Sequence, residues 1–309
     1  MIELDHVTKR YGQAAALRDV SFRIGKGETV GLLGRNGAGK TTALNLMTGY
    51  FPPTEGTVRI GGKPMLSESR DCKRMIGYLP EKPPLYDEMT VESYLRFVCE
   101  LREVARQGIP AHVREIMERC GLGDVRGRVL GHLSKGYRQR AGIAQALCGA
   151  PEILILDEPT VGLDPRQTVE IRELIRELSR EHTVVFSSHI LTEVQQICTR
   201  VIILDEGRMV RDFDRQEPEG TEVRIRLKIA GDENAVMAKL GKLGPEIRAE
   251  KLPREEKGIT EARAILPRGN NGEAQDRLFQ ALAGSGLAVR MMREERETLE
   301  EVFLRETSG

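Results

Sequence analysis

Residues 34–41 combine three glycines, a lysine and a threonine at the spacing of a phosphate-binding loop. The glycines allow backbone N–H groups to turn inward without Cβ clashes, and a helix that follows adds its positive N-terminal end. The apolar run at 29–33 and the run at 42–47 predict the strand and helix on either side. A plain glycine-rich turn would not need the full pattern. We therefore predict nucleoside triphosphate binding by Gly34, Arg35, Asn36, Gly37, Ala38, Gly39, Lys40, Thr41 and Thr42.

The motif also assigns roles by spacing, with Lys40 at the β- and γ-phosphates and Thr41 as a ligand of Mg²⁺. A second apolar run, at 152–156, ends in Asp157 and Glu158 and is typical of a buried parallel strand. Buried carboxylates need a cation or a proton partner. We expect Asp157 near the metal and Glu158 beside the γ-phosphate as the general base for water. Taken alone, this acidic pair would more often mark a solvated turn.

A serine and a glycine precede a helical run in Leu133-Ser134-Lys135-Gly136-Tyr137-Arg138-Gln139-Arg140. At this point the chain resembles the ATP-binding cassette (ABC) family, whose signature normally has the sequence Leu-Ser-Gly-Gly-Gln. Lys135 and Tyr137 depart from it, whereas Ser134 and Gly136 are kept. The resemblance implies that these two residues present donors to a γ-phosphate held by another subunit. The alternative is a capped helix with a basic first turn.

Three further residues match the family's motifs in the family's order. Gly162-Leu163-Asp164-Pro165 resembles the loop that lines the dimer seam and so implies a nucleotide-site role for Asp164. His189, at the end of an apolar strand, resembles the switch histidine that touches the γ-phosphate, although a lone histidine there is usually structural. Tyr11 resembles the aromatic residue that stacks on adenine, and its alternative is a tyrosine that anchors a turn.

One position departs from the family at the expected metal site. Where the family usually has glutamine, Tyr78-Leu79-Pro80-Glu81 places a glutamate. Glu81 still offers an oxygen ligand for Mg²⁺, but it adds a charge and lacks the amide donor.

Composition excludes several classes of protein. The 47 basic and 47 acidic residues balance, so the chain lacks the electrostatic footprint of a nucleic-acid binder. The five cysteines have no metal-site spacing and are expected to be reduced thiols in a cytosolic protein. No apolar run approaches the roughly 20 residues that span a bilayer, and the N-terminus lacks an export signal. A transport function would therefore need another chain to form the pore.

The motifs and periodicities together predict an α/β fold with two domains. Residues 1–215 are expected to form an ABC ATPase core of the P-loop NTPase type, with an antiparallel β subdomain and a helical subdomain at about 88–149. Pro218 and Gly220 lie in a polar stretch that marks the boundary. Residues 221–309 are expected to form a small α+β accessory domain, whose βαββαβ order suggests a ferredoxin-like unit. A last helix is predicted at 298–304.

The resemblance implies the ATPase subunit of an ABC-2 type exporter, in a subgroup with gliding-motility-associated, multidrug and sodium export ATPases. Such a subunit binds ATP and Mg²⁺, works as a homodimer on integral membrane permease subunits, and lies peripherally at the cytoplasmic face of the cell membrane. A single cassette cannot close on itself, which is why two copies are expected. The alternative is a soluble ABC ATPase acting on a ribosome or DNA. A third hypothesis is a regulatory ATP-binding module, which the pair Asp157-Glu158 and His189 disfavour.

Overall fold

The computed structural model describes residues 1–214, 222–253, 256, 258–267, 273–295 and 303. The chain divides into two compact units, one of Met1–Gln216 with Phe303–Gly309 and one of Glu217–Val302. No helix within the described residues is long and apolar enough to cross a membrane.

The first unit contains ten strands and seven α-helices among its described residues. The strands are β1 (Ile2–Tyr11), β2 (Ala14–Ile24), β3 (Thr29–Leu33), β4 (Glu55–Ile60), β5 (Lys63–Pro64), β6 (Ile76–Leu79), β7 (Ile153–Asp157), β8 (Thr183–Ser188), β9 (Arg200–Asp205) and β10 (Arg208–Asp214). The helices are α1 (Lys40–Met47), α2 (Ser69–Arg74), α3 (Val91–Leu101), α4 (Ile109–Arg119), α5 (Lys135–Leu147), α6 (Pro165–Leu178) and α7 (Leu191–Ile197).

A six-stranded sheet in the order β10-β9-β3-β8-β7-β6 positions the predicted chemistry. Strands β3 and β9, β3 and β8, β8 and β7, and β7 and β6 pair in parallel, and every residue of β3, β7 and β8 is buried. Continuous apolar runs are what a strand covered on both faces requires. Because parallel strands end at the same edge of the sheet, the segments that follow β3, β6, β7 and β8 meet there.

A second, antiparallel sheet in the order β2-β1-β4-β5 covers one side of this core. One buried cluster joins the two sheets and α1, with Leu4 and Val20 from the antiparallel sheet, Leu44 and Met47 from α1, and Val30 from β3. Burying such apolar side chains stabilises the fold by about 1.5–3 kcal/mol for each large one. The helix that follows the phosphate-binding loop is therefore packed against apolar side chains from both sheets.

Residues 88–149 contain three α-helices, α3, α4 and α5. Thr90 caps α3 by accepting a hydrogen bond from the Ser93 N–H at 3.2 Å, and Pro110 lies in the first turn of α4, where its missing N–H costs nothing. Two short 3₁₀ turns, Gly123–Val125 and Leu130–His132, lead to α5, which begins directly after Ser134. The periodicity of buried positions such as Val91 and Leu95 thus gave the right element type.

The second unit has the predicted βαββαβ order. Its elements are β11 (Glu222–Ala230), α8 (Glu233–Leu240), β12 (Arg248–Lys251), β13 (Ile259–Pro267), α9 (Glu273–Gly284) and β14 (Ala288–Glu295). The strands form an antiparallel sheet in the order β12-β13-β11-β14, and one face of β11 packs on both helices through a core that includes Ile225, Leu240 and Leu278. The helix predicted at 298–304 lies outside the described residues, apart from Phe303, which is helical.

Candidate nucleotide-binding and hydrolysis site

The loop between β3 and α1 wraps around the buried ammonium group of Lys40. Lys40 is 6% exposed, and its Nζ donates hydrogen bonds to the carbonyl oxygens of Gly34 at 2.8 Å and Arg35 at 3.3 Å. Gly37 and Gly39 have φ angles of +85° and +104°, which residues other than glycine rarely adopt. A Cβ atom at Gly34 would lie 2.5 Å from the carbonyl oxygen of Leu204. The predicted glycines are thus required by conformation and by close packing.

The other predicted loop residues differ in exposure. Arg35 and Asn36 are exposed with Gly37 at the tip, whereas Ala38 is buried and its N–H donates to the carbonyl oxygen of Arg35 at 3.1 Å. Thr42 is half-buried in the first turn of α1. The motif is therefore exposed at its tip and again at Thr41.

Glu158 lies between two groups that can hold its charge. Its Oε1 is 3.4 Å from the Lys40 Nζ, and its Oε2 is 2.9 Å from the His189 Nδ1. The carboxylate is almost fully buried, with the residue 8% exposed. Its backbone has a φ of +47°, a strained conformation for a residue with a side chain that costs roughly 1–3 kcal/mol. Strain of this kind persists where the surrounding structure enforces it, and here the Glu158 N–H is fixed by the Ser187 hydroxyl at 2.9 Å.

Asp157 has one oxygen that is satisfied and one that is not. Its Oδ1 accepts from the Ser187 hydroxyl at 2.6 Å and more weakly from the Thr41 hydroxyl at 3.4 Å. Its Oδ2 is buried without a hydrogen-bond partner. Burial raises the pKa of the Asp157 carboxyl, and the charges of Glu158 and Glu81 raise it further. The surroundings of Asp157 therefore disfavour its charged form, and a cation at this oxygen would stabilise it.

These residues fit a Mg²⁺ ion. Hard cations prefer carboxylate and hydroxyl oxygens, and Mg²⁺ typically takes only one or two carboxylates with substrate phosphates and water. Asp157 supplies the orphaned buried oxygen and Thr41 the neighbouring hydroxyl. No cluster of three His, Cys, Asp or Glu side chains suited to a metal occurs in the part of the chain that the structure describes. Magnesium does not need one when the nucleotide completes its coordination.

Glu81 faces the same space. It lies after β6 and lines a cavity of about 810 Å³ together with Thr41, Asp157 and Asn45. The Tyr78 hydroxyl, which also lines the cavity, donates to the Asn45 side-chain oxygen at 3.3 Å, and burial raises the pKa of Tyr78. The predicted metal residues are thus brought to one cavity, with Glu81 on its wall.

Tyr11 belongs to an exposed aromatic group at the end of β1. Its ring meets Phe51 edge to face with centroids 6.1 Å apart, and Phe51 meets Tyr50 in the same way at 4.7 Å. The Lys9 Nζ lies 5.4 Å from the centroids of both Tyr11 and Phe51. Tyr11 is 46% exposed, so part of its side chain is accessible to solvent.

Ser134, Gly136 and Asp164 are placed elsewhere, at the N-terminal ends of α5 and α6. The Ser134 hydroxyl accepts from the Tyr137 N–H at 3.5 Å, and the Asp164 Oδ1 accepts from the Gln167 N–H at 2.9 Å. A Cβ atom at Gly136 would lie 2.6 Å from the Gln167 side chain, so the two helix ends pack closely. Within the described ranges, no hydrogen bond or ion pair links these three residues to the cluster around Lys40.

Sequence reasoning missed two contributors to the site. Ser187 holds both Asp157 and the Glu158 backbone, and Phe51 supports Tyr11. A signal existed for each, since a serine ends the apolar run of β8 and two adjacent aromatic residues follow α1 in a chain with few aromatics. Neither signal identifies a partner without the fold.

Comparison with known proteins places the chain in a family. Residues 17–161 match the family model described as ABC transporter. The ATP-binding protein NatA of Bacillus subtilis is 39% identical over 216 residues, which cover 68% of this chain and 88% of NatA. The chain belongs to the ABC transporter ATP-binding proteins. The resemblance of the chain to this family is thereby confirmed.

Two further relatives extend the match. The bacitracin transport ATP-binding protein BcrA of Enterococcus faecalis is 37% identical over 220 residues, which cover 70% of each chain. The daunorubicin resistance ATP-binding protein DrrA3 of Streptomyces coeruleorubidus is 31% identical over 307 residues, covering 98% of this chain and 94% of DrrA3. The similarity to DrrA3 therefore includes the second unit.

The fold also matches solved ABC cassettes. The dimeric structure of a bacterial ABC transporter cassette superposes with a TM-score of 0.65 at 27% identity and covers 71% of this chain and 100% of that cassette. A dimeric post-hydrolysis state of the same cassette, bound to ADP and Pi, gives the same TM-score at 26% identity. This ABC protein is accordingly an ATP-binding and ATP-hydrolysing subunit with the α/β fold that the sequence predicted.

Proposed function

We propose that this chain is the ATPase subunit of an ABC-2 type exporter and acts as a homodimer on separate membrane permease subunits. The relatives named for bacitracin transport and daunorubicin resistance support an exporter over a soluble ATPase acting on a ribosome or DNA. The chain's formal net charge of zero also disfavours nucleic acid. In this role the subunit lies peripherally at the cytoplasmic face of the cell membrane.

The observation that carries the hydrolytic mechanism is the position of Glu158 between Lys40 and His189. When ATP enters the loop, its β- and γ-phosphates compete for the Lys40 ammonium and release Glu158 from that ion pair. The freed carboxylate accepts a proton from the water that attacks the γ-phosphorus, while the bond from that phosphorus to the β,γ-bridging oxygen breaks and ADP leaves. His189 orients the Glu158 carboxylate. Tyr11 provides a stacking surface for adenine.

Thr41 and Asp157 would hold Mg²⁺, with Glu81 close by on the cavity wall. Bound there, the ion would neutralise charge on the phosphates during transfer. Ser187 keeps Asp157 oriented with one oxygen toward its hydroxyl, which leaves the other oxygen for the cation.

Each chain contributes half of each composite site. Ser134, Gly136 and Asp164 lie at the ends of α5 and α6, away from the Lys40 cluster of their own chain. In a closed homodimer they face the ATP held by the other copy. The dimeric form of the related cassette supports this arrangement.

The division of labour along the chain follows the units. Residues 1–215 form the ATP-binding domain, with a helical subdomain at about 88–149 that carries Ser134 at its end. Residues 221–309 form an accessory domain. The relation to DrrA3 along nearly the full chain supports an accessory domain that belongs to the exporter subunit itself.

The test is to purify the protein gently from its native membranes with ATP present and to identify the accompanying chains by mass spectrometry. A multi-span membrane protein at equal stoichiometry is the expected result. Recovery of ribosomal or DNA-repair proteins without any membrane chain would overturn the exporter assignment and leave only the ATPase.

A further inference from the structure

Lys135 stands where the usual family signature has glycine, and the mechanism above does not use it. It is the first residue of α5, between Ser134 and Gly136, and its side chain is exposed. A Cβ atom at Gly162 would overlap the Lys135 Nζ. The ammonium therefore lies against the backbone of the loop that precedes α6, on the same surface as Ser134.

The neighbouring cations of α5 are matched by carboxylates, whereas Lys135 is not. The Arg138 Nη1 is 2.6 Å from the Asp87 Oδ1, and the Arg140 Nη2 is 2.7 Å from the Glu170 Oε2. Among the residues that the structure describes, Lys135 has neither an ion pair nor a hydrogen bond from its ammonium. It is thus an unmatched positive charge in an otherwise paired set.

The local electrostatics are unfavourable to that charge. The first turn of α5 contains no acidic residue, and the positive end of a helix destabilises a cation beside it. An anion arriving from outside the chain would be attracted by both the Lys135 ammonium and the N-terminal end of α5. The Ser134 hydroxyl is also weakly engaged, since its hydrogen bond from the Tyr137 N–H is long at 3.5 Å. A hydroxyl and an ammonium on adjacent residues are therefore both available to one ligand.

We propose that Lys135 supplies a second cation, in trans, to the γ-phosphate of the ATP held by the other copy of this chain. The inference rests on the proposed homodimer, in which Ser134 and Gly136 face that phosphate. ATP carries negative charge at the γ-position that ADP lacks, so the ammonium favours the closed ATP-bound pair over the ADP-bound pair. Lys135 thereby strengthens the dependence of dimer closure on the terminal phosphate.

The experiment measures ATP-driven dimerisation in the Glu158→Gln background, where slow hydrolysis traps the ATP state, by size-exclusion chromatography with light scattering. Three variants are compared in this background: Lys135→Gln, Lys135→Arg and the control Lys26→Gln. Lys26 is a suitable control because its side chain is 80% exposed and its carboxylate neighbour Glu152 is 3.8 Å away. ATP binding to the monomer and the melting temperature are measured for each.

Lys135→Gln should raise the ATP concentration for half-maximal dimerisation about tenfold, the scale of one charge-assisted hydrogen bond. Lys135→Arg keeps the charge and should stay within about twofold of the parent, as should Lys26→Gln. The effect of Lys135→Gln should shrink at about 1 M salt because screening weakens exposed charges. Binding of ATP to the monomer should be unchanged in all three variants.

Each contrary result is distinct. Dimerisation of Lys135→Gln at the parent's ATP concentration would overturn the role of Lys135 and leave the homodimer standing. A lower melting temperature or weaker monomer binding in Lys135→Gln would assign the lysine a structural role instead. Failure of the Glu158→Gln parent to dimerise with ATP would refute the proposed composite site itself.

Discussion

The two regions that we propose to carry the nucleotide chemistry differ in how many of their contacts lie within one chain. Around Lys40, the functional side chains are already in contact, and Asp157 and Glu158 are buried, at 1% and 8% exposed. Around Ser134 and Lys135, they are exposed and make few contacts within the chain. A region whose functional groups are brought together within one chain can bind a ligand without a second copy. A region whose groups remain exposed acts when a second molecule approaches.

Of the variants that test this difference between the two regions, Lys40→Ala should have the largest effect. We expect loss of both ATP binding and hydrolysis, with turnover reduced at least about a hundredfold, because the variant removes the phosphate-binding cation and leaves Glu158 buried without its ion pair. Steady-state phosphate release and binding of a fluorescent ATP analogue measure the two effects. Lys26→Ala is the matched control, and equal losses in both variants would contradict the assignment.

Glu158→Gln should separate binding from chemistry within the buried region. We expect ATP binding to persist while hydrolysis slows at least tenfold, a barrier increase of about 1.4 kcal/mol or more. The amide keeps the shape of the side chain but cannot accept the water's proton. Single-turnover hydrolysis with pre-bound ATP is the measurement, and unchanged turnover would refute Glu158 as the base.

Ser134→Ala should damage only the step that needs two copies. We expect hydrolysis to fall about tenfold, the loss of one hydrogen bond to a charged phosphate, while monomer affinity for ATP stays the same. Titration of ATPase activity against protein concentration tests this, because a defect in pairing weakens as the concentration rises. An equal loss of monomer affinity for ATP would show that Ser134 acts on the ATP bound by its own chain, which would contradict the proposal.

The smallest effect is expected from Glu92→Gln. Glu92 lies in α3, so this variant tests the stability of the helical segment. Hydrogen bonds from Arg126 and Arg96 lower the pKa of Glu92 to about 2. A lowered pKa in the folded state gives stability that is present above the unfolded pKa of about 4.5 and is lost as the pH falls toward 2. We therefore expect a melting temperature lower by roughly 1–3 °C at pH 7, given the screening of these partly exposed groups.

This difference between Glu92→Gln and the parent should disappear as the pH is lowered through that window. Melting curves between pH 7 and the lowest pH at which the protein remains folded measure it. Arg23→Gln, whose exposed guanidinium lies 2.7 Å from Glu3 on the neighbouring strand of the antiparallel sheet, provides a comparison outside the helical segment. A pH-independent difference would show that Glu92 acts through packing rather than charge.

Sequence spacing predicted the elements of the site better than its contacts. The glycines at 34, 37 and 39 predict a phosphate-binding loop. Gly37 and Gly39 have positive φ angles, and Gly34 lies too close to a neighbouring backbone for a Cβ atom. The ion pair of Lys40 with Glu158 could not be predicted locally, since it depends on β8 lying between β3 and β7 in the sheet. The same holds for Ser187, which meets Asp157 across paired strands. Roles for Ser134 and Asp164 came from family resemblance and stay predictions.

The pairing of β3 also has a consequence for the order in which the protein is made. This strand precedes the phosphate-binding loop, yet its neighbours in the sheet, β8 and β9, are synthesised only after the whole helical segment. Non-local parallel pairing forms slowly and late. A ribosome-bound chain that ends before Thr183 therefore presents the glycine loop without the strands that fix it. Fixing the loop for nucleotide binding therefore requires that β8 and β9 have been synthesised and have paired with β3.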